Sequence, residues 1–352
     1  ITHNVANGSL TIPSNSTDHY IITGTTTNTS HYVVVQSGFV GTVTLRNLDM
    51  AFSGSGANSP IRITGQNNRS NLNPVTKVTL VLDGNSVITN RGGGRACIQV
   101  DQGAQIHIKA KNPAYNLSGT LCVQNTGGGA AIGALDHYAN TNECTGSAQI
   151  QGTAHGSGRT SLTAGGNIVI SSGLVTAKGA HGAGLGGGYT TYYDGIIFIY
   201  GGIVKATAVY HAAGIGSGCP TGSGVIDAYS PNSTTIVLPP AKITATGADR
   251  YEVVARLGLA GTKTLVYIGD ENKPLVTVRT EDHKAGAPIY ADLSQNPDIV
   301  RAYNAVFGSE TDQLDIHKVN FGKTDATGTF SFRAEYTPDE CNYTAAAVEI
   351  PV

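Results

Sequence analysis

The sequence predicts an all-β fold: a right-handed parallel β-helix over residues 1–247, followed by a small β-sandwich-like module over residues 248–352. Three observations predict it. The first is a repeat. Residues 166–188, GNIVISSGLVTAKGAHGAGLGGG, and residues 195–218, GIIFIYGGIVKATAVYHAAGIGSG, are two versions of one segment. At an offset of 29, Ile168 falls on Ile197, Ile170 on Ile199, Gly173 on Gly202, Val175 on Val204 and Ala177 on Ala206. One extra residue moves the offset to 30, and His181 then falls on His211, Gly184 on Gly214 and Gly186 on Gly216. A period of this length marks a unit that cannot bury its own apolar face and stacks on a copy of itself. The second observation is strand periodicity, with apolar residues alternating within each copy. The third is the placing of glycine, between strands where the chain must bend.

The repeat extends outward from these two copies more weakly. HYVVVQSGFVGTVTLRNLDM (31–50) reads as an early coil. VTKVTLVLDGNSVITN (75–90), ACIQVDQGAQIHIKAKN (96–112) and GGGAAIGAL (127–135) carry the same parts, and GSGVIDAYSPNSTTIVLPPAKITATG (222–247) reads as the last coil. Roughly eight or nine coils between residues 20 and 245, at about 4.8 Å each, make a shaft on the order of 40 Å long. Residues 111–126 and 136–164 are polar and break the period, so they read as inserts, which in repeat folds collect on one face and often bind ligands. Near Gly247 the glycine repeats stop and charge density rises. TKTLVYIGD, PLVTVRTED, IYADLS, LDIHKVNFG, TFSFRAEY and AAAVEIPV read as strands. NPDIVRAYNAVFG reads as one short helix, with Pro297 in its first turn and Gly308 just past its end.

Composition bounds the rest. The chain has 352 residues, 40% of them hydrophobic, which is ample for a core and argues against disorder. Only 13% are charged and the net charge is −2, with no Lys/Arg run, so nucleic acid and anionic membrane are poor partners. No apolar stretch is long enough to span a bilayer. The beginning, ITHNVANGSL, has no basic leader and the chain stops in strand-like sequence, so the expectation is a piece of a larger protein. The five cysteines, Cys97, Cys122, Cys144, Cys219 and Cys341, are not at metal-ligand spacing. Alternation in ACIQV and LCVQ turns Cys97 and Cys122 outward, where they either bridge between neighbouring strands or remain unrelated thiols.

GNIVISSGLVTAKGAHGAGLGGG and its copy resemble the coils of secreted or surface-anchored β-helix proteins of gut-type anaerobic bacteria, the adhesin-like, carbohydrate-binding-domain repeat proteins. The opening YIITGTTTNTSHYVVVQSGFVGTVTLRNLDM and the segment LVLDGNSVITNRGGGRACIQVDQGAQIHI resemble them too. The tail FSFRAEYTPDECNYTAAAVEIPV is similar to the end of an immunoglobulin-like repeat. The resemblance implies a secreted or cell-surface location. It transfers no catalytic residue, and fold alone does not license function.

Candidate sites follow from residue chemistry. Tyr189, Tyr192, Tyr193 and Asp194 lie in GYTTYYDG, between the two best coils, with Tyr200 and Tyr210 nearby. An aromatic face packs against the apolar face of a sugar ring, and the competing reading is that tyrosine is simply common on β-surfaces. His181 and His211 occupy equivalent positions about 5 Å apart at the backbone, either as a metal-binding or pH-sensitive pair or as an inherited corner residue. A polysaccharide hydrolase or lyase would need paired carboxylates from Asp136, Glu143, Asp194 and Asp227, and a lyase would also need Ca²⁺ or basic residues. Asp83-Gly84-Asn85 reads as a turn, not a calcium loop. No cofactor is expected, Ca²⁺ being the one ion an enzyme reading leaves open.

The leading expectation is a non-catalytic extracellular module for adhesion or glycan binding, its partner a polysaccharide, glycan or host-surface ligand. The alternatives are a β-helix glycoside hydrolase or lyase, and a structural subunit that self-associates end to end into a filament.

Overall fold

The computed structural model describes all residues except 55–57, 67–70, 92, 114–117, 136–161, 190, 194, 211, 213, 217–233, 238–240, 247–276, 279–287, 295, 296, 308–314, 317, 318, 324–329, 334–346, 351 and 352. The chain opens with β1 (Thr2–Asn4), β2 (Leu10–Ile12), β3 (Tyr20–Thr23), β4 (Thr25–Thr29), β5 (Val33–Val35), β6 (Val40–Arg46), β7 (Asp49–Phe52) and β8 (Ile61–Ile63). Next come β9 (Thr76–Asn90), β10 (Ile98–Val100), β11 (Ala104–Ala110), β12 (Gly119–Asn125) and β13 (Ile132–Gly133). The best repeats hold β14 (Leu162–Ala164), β15 (Asn167–Ile170), β16 (Leu174–Gly179), β17 (Leu185–Gly186), β18 (Thr191–Tyr193), β19 (Ile196–Ile199), β20 (Ile203–Ala208) and β21 (Ile215–Gly216). Further on are β22 (Thr234–Val237), β23 (Lys242–Thr246), β24 (Thr277–Val278), β25 (Pro288–Asp292), α1 (Pro297–Phe307), β26 (Val319–Lys323), β27 (Phe330–Arg333) and β28 (Ala347–Ile350).

The protein is all-β, built on long parallel sheets. Sheet A runs β1-β3-β6-β9-β11-β15-β19-β22, and sheet B runs β2-β5-β8-β10-β13-β17-β21. Sheet C runs β4-β7-β9-β12-β16-β20-β23, and every pairing in the three sheets is parallel. The repeat offsets read from the sequence are the pairing registers: Ile168 pairs with Ile197 and Ile170 with Ile199, Val175 with Val204 and Ala177 with Ala206, then Gly186 with Gly216. Stacking begins earlier than residue 20, since Thr2 already pairs with Ile21 and Leu10 with Val33. The segment 111–126 is not an insert: within it β12 pairs with β9 on one side and β16 on the other.

Alternate side chains from all three sheets point into one continuous core. In sheet A, Val43, Leu80, Ile108, Ile170 and Ile199 form one column, and in sheet B, Val33, Ile61, Ile98, Ile132, Leu185 and Ile215 form another. Each of these side chains contributes about 1.5–3 kcal/mol by leaving water. A neighbour on each edge pins every strand inside these sheets, because a one-residue slip would turn its whole apolar set outward.

β9 serves two sheets. Its first half pairs within sheet A and its second half within sheet C, and it bends at Asp83-Gly84-Asn85. Gly84 has φ +81°, and a Cβ there would overlap the Asn47 side chain, whose Oδ1 accepts the Asn85 N–H at 3.0 Å. The segment is therefore the turn its sequence indicates. Beside it the Asp83 carboxylate takes Arg46 Nε at 2.8 Å and Lys111 Nζ at 3.1 Å, linking three rungs. Burial works to raise the Asp83 carboxyl, but the hydrogen bonds and charges of Arg46 and Lys111 outweigh it and hold the group below the usual carboxylate range. Stability from this ladder is thus full above the unfolded carboxylate pKa and is lost as pH falls through the lowered folded value. Asp83→Asn should cost no more than about 1 kcal/mol at neutral pH, since both cations are largely exposed. Urea midpoints of parent and variant should differ at neutral pH and converge as pH falls through the lowered folded value.

The expectation for Cys97 is overturned. Cys97 is fully buried in the core, where its thiol donates to the Gln124 carbonyl at 3.0 Å, and burial pushes the thiol pKa up. It precedes β10 at a bend where Ala96, Cys97 and Ile98 are all at 0% exposure, so strand alternation does not apply to it. Cys122 does face outward, and no disulfide joins it to Cys97. Cys144, Cys219 and Cys341 lie outside the described residues.

Beyond residue 247 the pairing becomes antiparallel, as β24-β25-β26 and β27-β28. α1 spans Pro297–Phe307, as its sequence predicts. It packs on the outer face of sheet A. The Phe307 ring meets Phe198 at 5.8 Å and Tyr200 at 5.5 Å between centroids, and Gln105 Nε2 donates to the Val306 carbonyl at 2.9 Å. Val169 and Phe198, on the opposite strand face from the core isoleucines, are therefore buried as well.

Candidate functional site, an aromatic corner

β16 and β20 both end in a bend, at Gly179 and Ala208. The parallel ladder continues through the bend: Val209 N–H donates to the Gly179 carbonyl at 3.1 Å and Tyr210 N–H to the Ala180 carbonyl at 2.9 Å. This places Tyr210 one rung over Ala180, and its ring stacks on the His181 imidazole with centroids 4.9 Å apart and planes 29° from parallel. Tyr189 arrives from the next bend, after β17. Its backbone N–H donates to the Gly128 carbonyl at 2.6 Å, and its ring meets His181 edge-on at 5.6 Å. An imidazole flanked by two phenol rings thus sits at the edge between sheets C and B. His181 and Tyr189 are half-buried, while Tyr210 is 55% exposed and its neighbour Val209 41%. The corner offers a sugar both a flat apolar face and hydroxyl groups.

The structure brings together His181, Tyr189 and Tyr210 and separates the others. Tyr193 is not a surface residue. It lies in β18, whose residues Tyr192 and Tyr193 pair with Thr163 and Ala164 of β14, so the supposed loop is a strand. Its ring is fully buried in the core and its hydroxyl donates to the Gly166 carbonyl. Tyr192 stands on the same strand, its side chain outside the described set, and Asp194 and His211 lie outside the described residues. So do Asp136, Glu143 and Asp227 of the enzyme reading. Among the described residues no three His, Cys, Asp or Glu side chains come together as a metal site, and no helix is long and apolar enough to cross a membrane.

A second polar cluster escaped sequence reasoning. His107 Nε2 is 2.8 Å from Ser171 Oγ and 3.3 Å from the Tyr200 hydroxyl, under α1 on the outer face of sheet A. His107, Ser171 and Tyr200 belong to successive rungs: the ladder sets Tyr200 over Ser171, and His107, whose register partner is Val169, reaches both diagonally. The cluster sits beside Phe307 and holds the helix seat together, since Tyr200 joins both groups. No protein-family model, curated protein or solved structure matches the chain.

Proposed function

We propose that the chain is a right-handed parallel β-helix carrying an immunoglobulin-like β-sandwich, and that it serves as a non-catalytic extracellular module of a bacterial surface, for adhesion or glycan binding. The single observation that carries the reading is the stack of Tyr210 on His181 with Tyr189 beside it, with Tyr210 exposed and the bends that carry the rings held by backbone hydrogen bonds. Ring positions set by a backbone ladder require little further ordering when a ligand arrives, which favours affinity. The parallel in-register sheets and their shared core support the β-helix assignment. The repeat wording GAGLGGG and AAGIGSG supports the likeness to adhesin-like proteins.

The test is retention on a glycan array and on insoluble polysaccharides. The parent should bind, and the double variant Tyr189→Ala/Tyr210→Ala should bind about tenfold more weakly, or 1.4 kcal/mol. Far-UV circular dichroism should be unchanged, because neither ring belongs to the core cluster. Equal retention of parent and variant would remove the corner as the site. Turnover of a polysaccharide by the parent, without retention, would replace the module reading with the enzyme reading.

A further inference from the structure

α1 ends over sheet A in a seat that is not built like the core beneath it. Row by row, the outward positions there are Gln105 and Asn167, then His107, Val169 and Phe198, then Ser171 and Tyr200. Val169 and Phe198 are what a covering helix requires, but Gln105, His107, Ser171 and Tyr200 all carry polar atoms. Asn167 is satisfied: its amide donates to the Asn71 carbonyl at 2.7 Å and its oxygen accepts the Ile196 N–H at 2.9 Å. Gln105 is not. It is 2% exposed, its Nε2 donates to the Val306 carbonyl, and its Oε1 is buried without a hydrogen-bond partner among the described residues. Turning the amide over is no remedy, because its oxygen would then face the Val306 carbonyl oxygen. A buried acceptor left unpaired is costly, and in a native protein it calls for an explanation.

The end of α1 supplies one. Phe307 sets a ring against Phe198 at 5.8 Å and Tyr200 at 5.5 Å between centroids, and the preceding residue sets an oxygen on the Gln105 amide. An apolar ring with an oxygen beside it is also the outline of a sugar. The difference lies in what the oxygen can do. A carbonyl only accepts, so it meets Nε2 and leaves Oε1 unmet. Adjacent sugar hydroxyls both accept and donate, and so can pair with both atoms of the amide. The apolar face of the sugar would pack on the aromatic surface that Phe307 vacates, and further hydroxyls would reach His107, Ser171 and Tyr200.

We propose that sheet A carries a second glycan site under α1, and that the end of the helix occupies it as a built-in competitor. The site takes a sugar with an apolar ring face and adjacent hydroxyls. It is separate from the corner of His181, Tyr189 and Tyr210, and rests on the glycan-binding reading only for the class of ligand. With α1 seated, apparent affinity is reduced to the extent that the open form is rare.

The experiment pairs hydrogen exchange with calorimetric binding, using cellohexaose, xylohexaose, mannohexaose and laminarihexaose as probes. At least one of them should speed exchange of the α1 amides in the parent, because sugar and helix compete. Phe307→Ala should bind that sugar at least about tenfold more tightly, since the competing ring is gone, and adding Tyr200→Ala should remove the gain. Binding by the parent that leaves α1 exchange unchanged would overturn the inference. Equal affinity of the parent and Phe307→Ala would overturn it too, since the ring would then not compete. In either case the corner reading stands if Tyr189→Ala/Tyr210→Ala loses the sugar. Binding by Phe307→Ala that survives loss of both corner tyrosines, with none by the parent, keeps the seat and removes the corner. No binding by either protein overturns both.

Discussion

Ile199→Asp is expected to destabilise the stacked sheets by about 4 kcal/mol or more. Two losses combine. The isoleucine side chain is fully buried in the core, and removing such a group costs roughly 2–5 kcal/mol. The incoming carboxyl meets an apolar core, where it must stay protonated or carry an unpaired charge. The chain lacks Trp, so thermal unfolding is best followed by far-UV circular dichroism rather than fluorescence. The midpoint should fall by many degrees, and a large fraction of the variant should be insoluble. Gln124→Asp supplies the contrast: the same charge on the exposed face of β12 should change stability by about 0.5 kcal/mol at most. If the two variants melt alike, the inward assignment of Ile199 is wrong.

Phe307→Ala should cost about 3–5 kcal/mol, but with a different signature. The ring is fully buried, and it is the joint on which Phe198, Tyr200 and Tyr303 converge. Its loss removes the seat of α1 while leaving the inward columns of sheets A, B and C intact. Local opening should therefore precede global unfolding. Hydrogen exchange should show α1 amides losing protection while those of β15 and β19 keep theirs. The uncovered faces of Val169 and Phe198 should then bind a hydrophobic dye. Unchanged exchange in α1 would mean that the ring contributes little to holding the helix.

What the sequence makes legible is whatever repeats. The offsets of 29 and 30 are pairing registers because a stacked unit must align its apolar set with that of its neighbour. The bounds of α1 were legible from Pro297 and the following apolar spacing. Its docking was legible too, although alternation hides it. Ile168-Val169-Ile170 and Ile196-Ile197-Phe198-Ile199 are apolar at both phases, and an unbroken apolar run is the mark of a parallel strand covered on both faces. Cys97 and Tyr193 were misread for opposite reasons. Cys97 lies at a bend where alternation lapses, whereas Tyr193 lies in a strand, β18, where a loop was expected. The aromatic corner was legible in composition but not in membership. Which rings meet depends on hydrogen bonds between bends, such as that of Tyr189 to Gly128, which no local pattern announces.

The glycines of sheet B set a rule of growth for the molecule. Gly133, Gly186 and Gly216 stand above one another at φ +136°, +128° and +129°, and a Cβ on Gly133 or Gly186 would collide with the carbonyl of the glycine in the next rung. Only hydrogen fits there, so a one-residue slip of such a strand would drive a side chain into that carbonyl. Changes of length between copies therefore fall outside the strands, and the spacing from Ile98 to Ile132, from Ile132 to Leu185 and from Leu185 to Ile215 differs from rung to rung. Between the last two copies the change falls between Gly179 or Ala208, where the offset is still 29, and Leu185 or Ile215, where it has become 30. His181 and Tyr210 occupy that interval. Residues at this corner can therefore be exchanged without disturbing the pairing of the strands on either side of it.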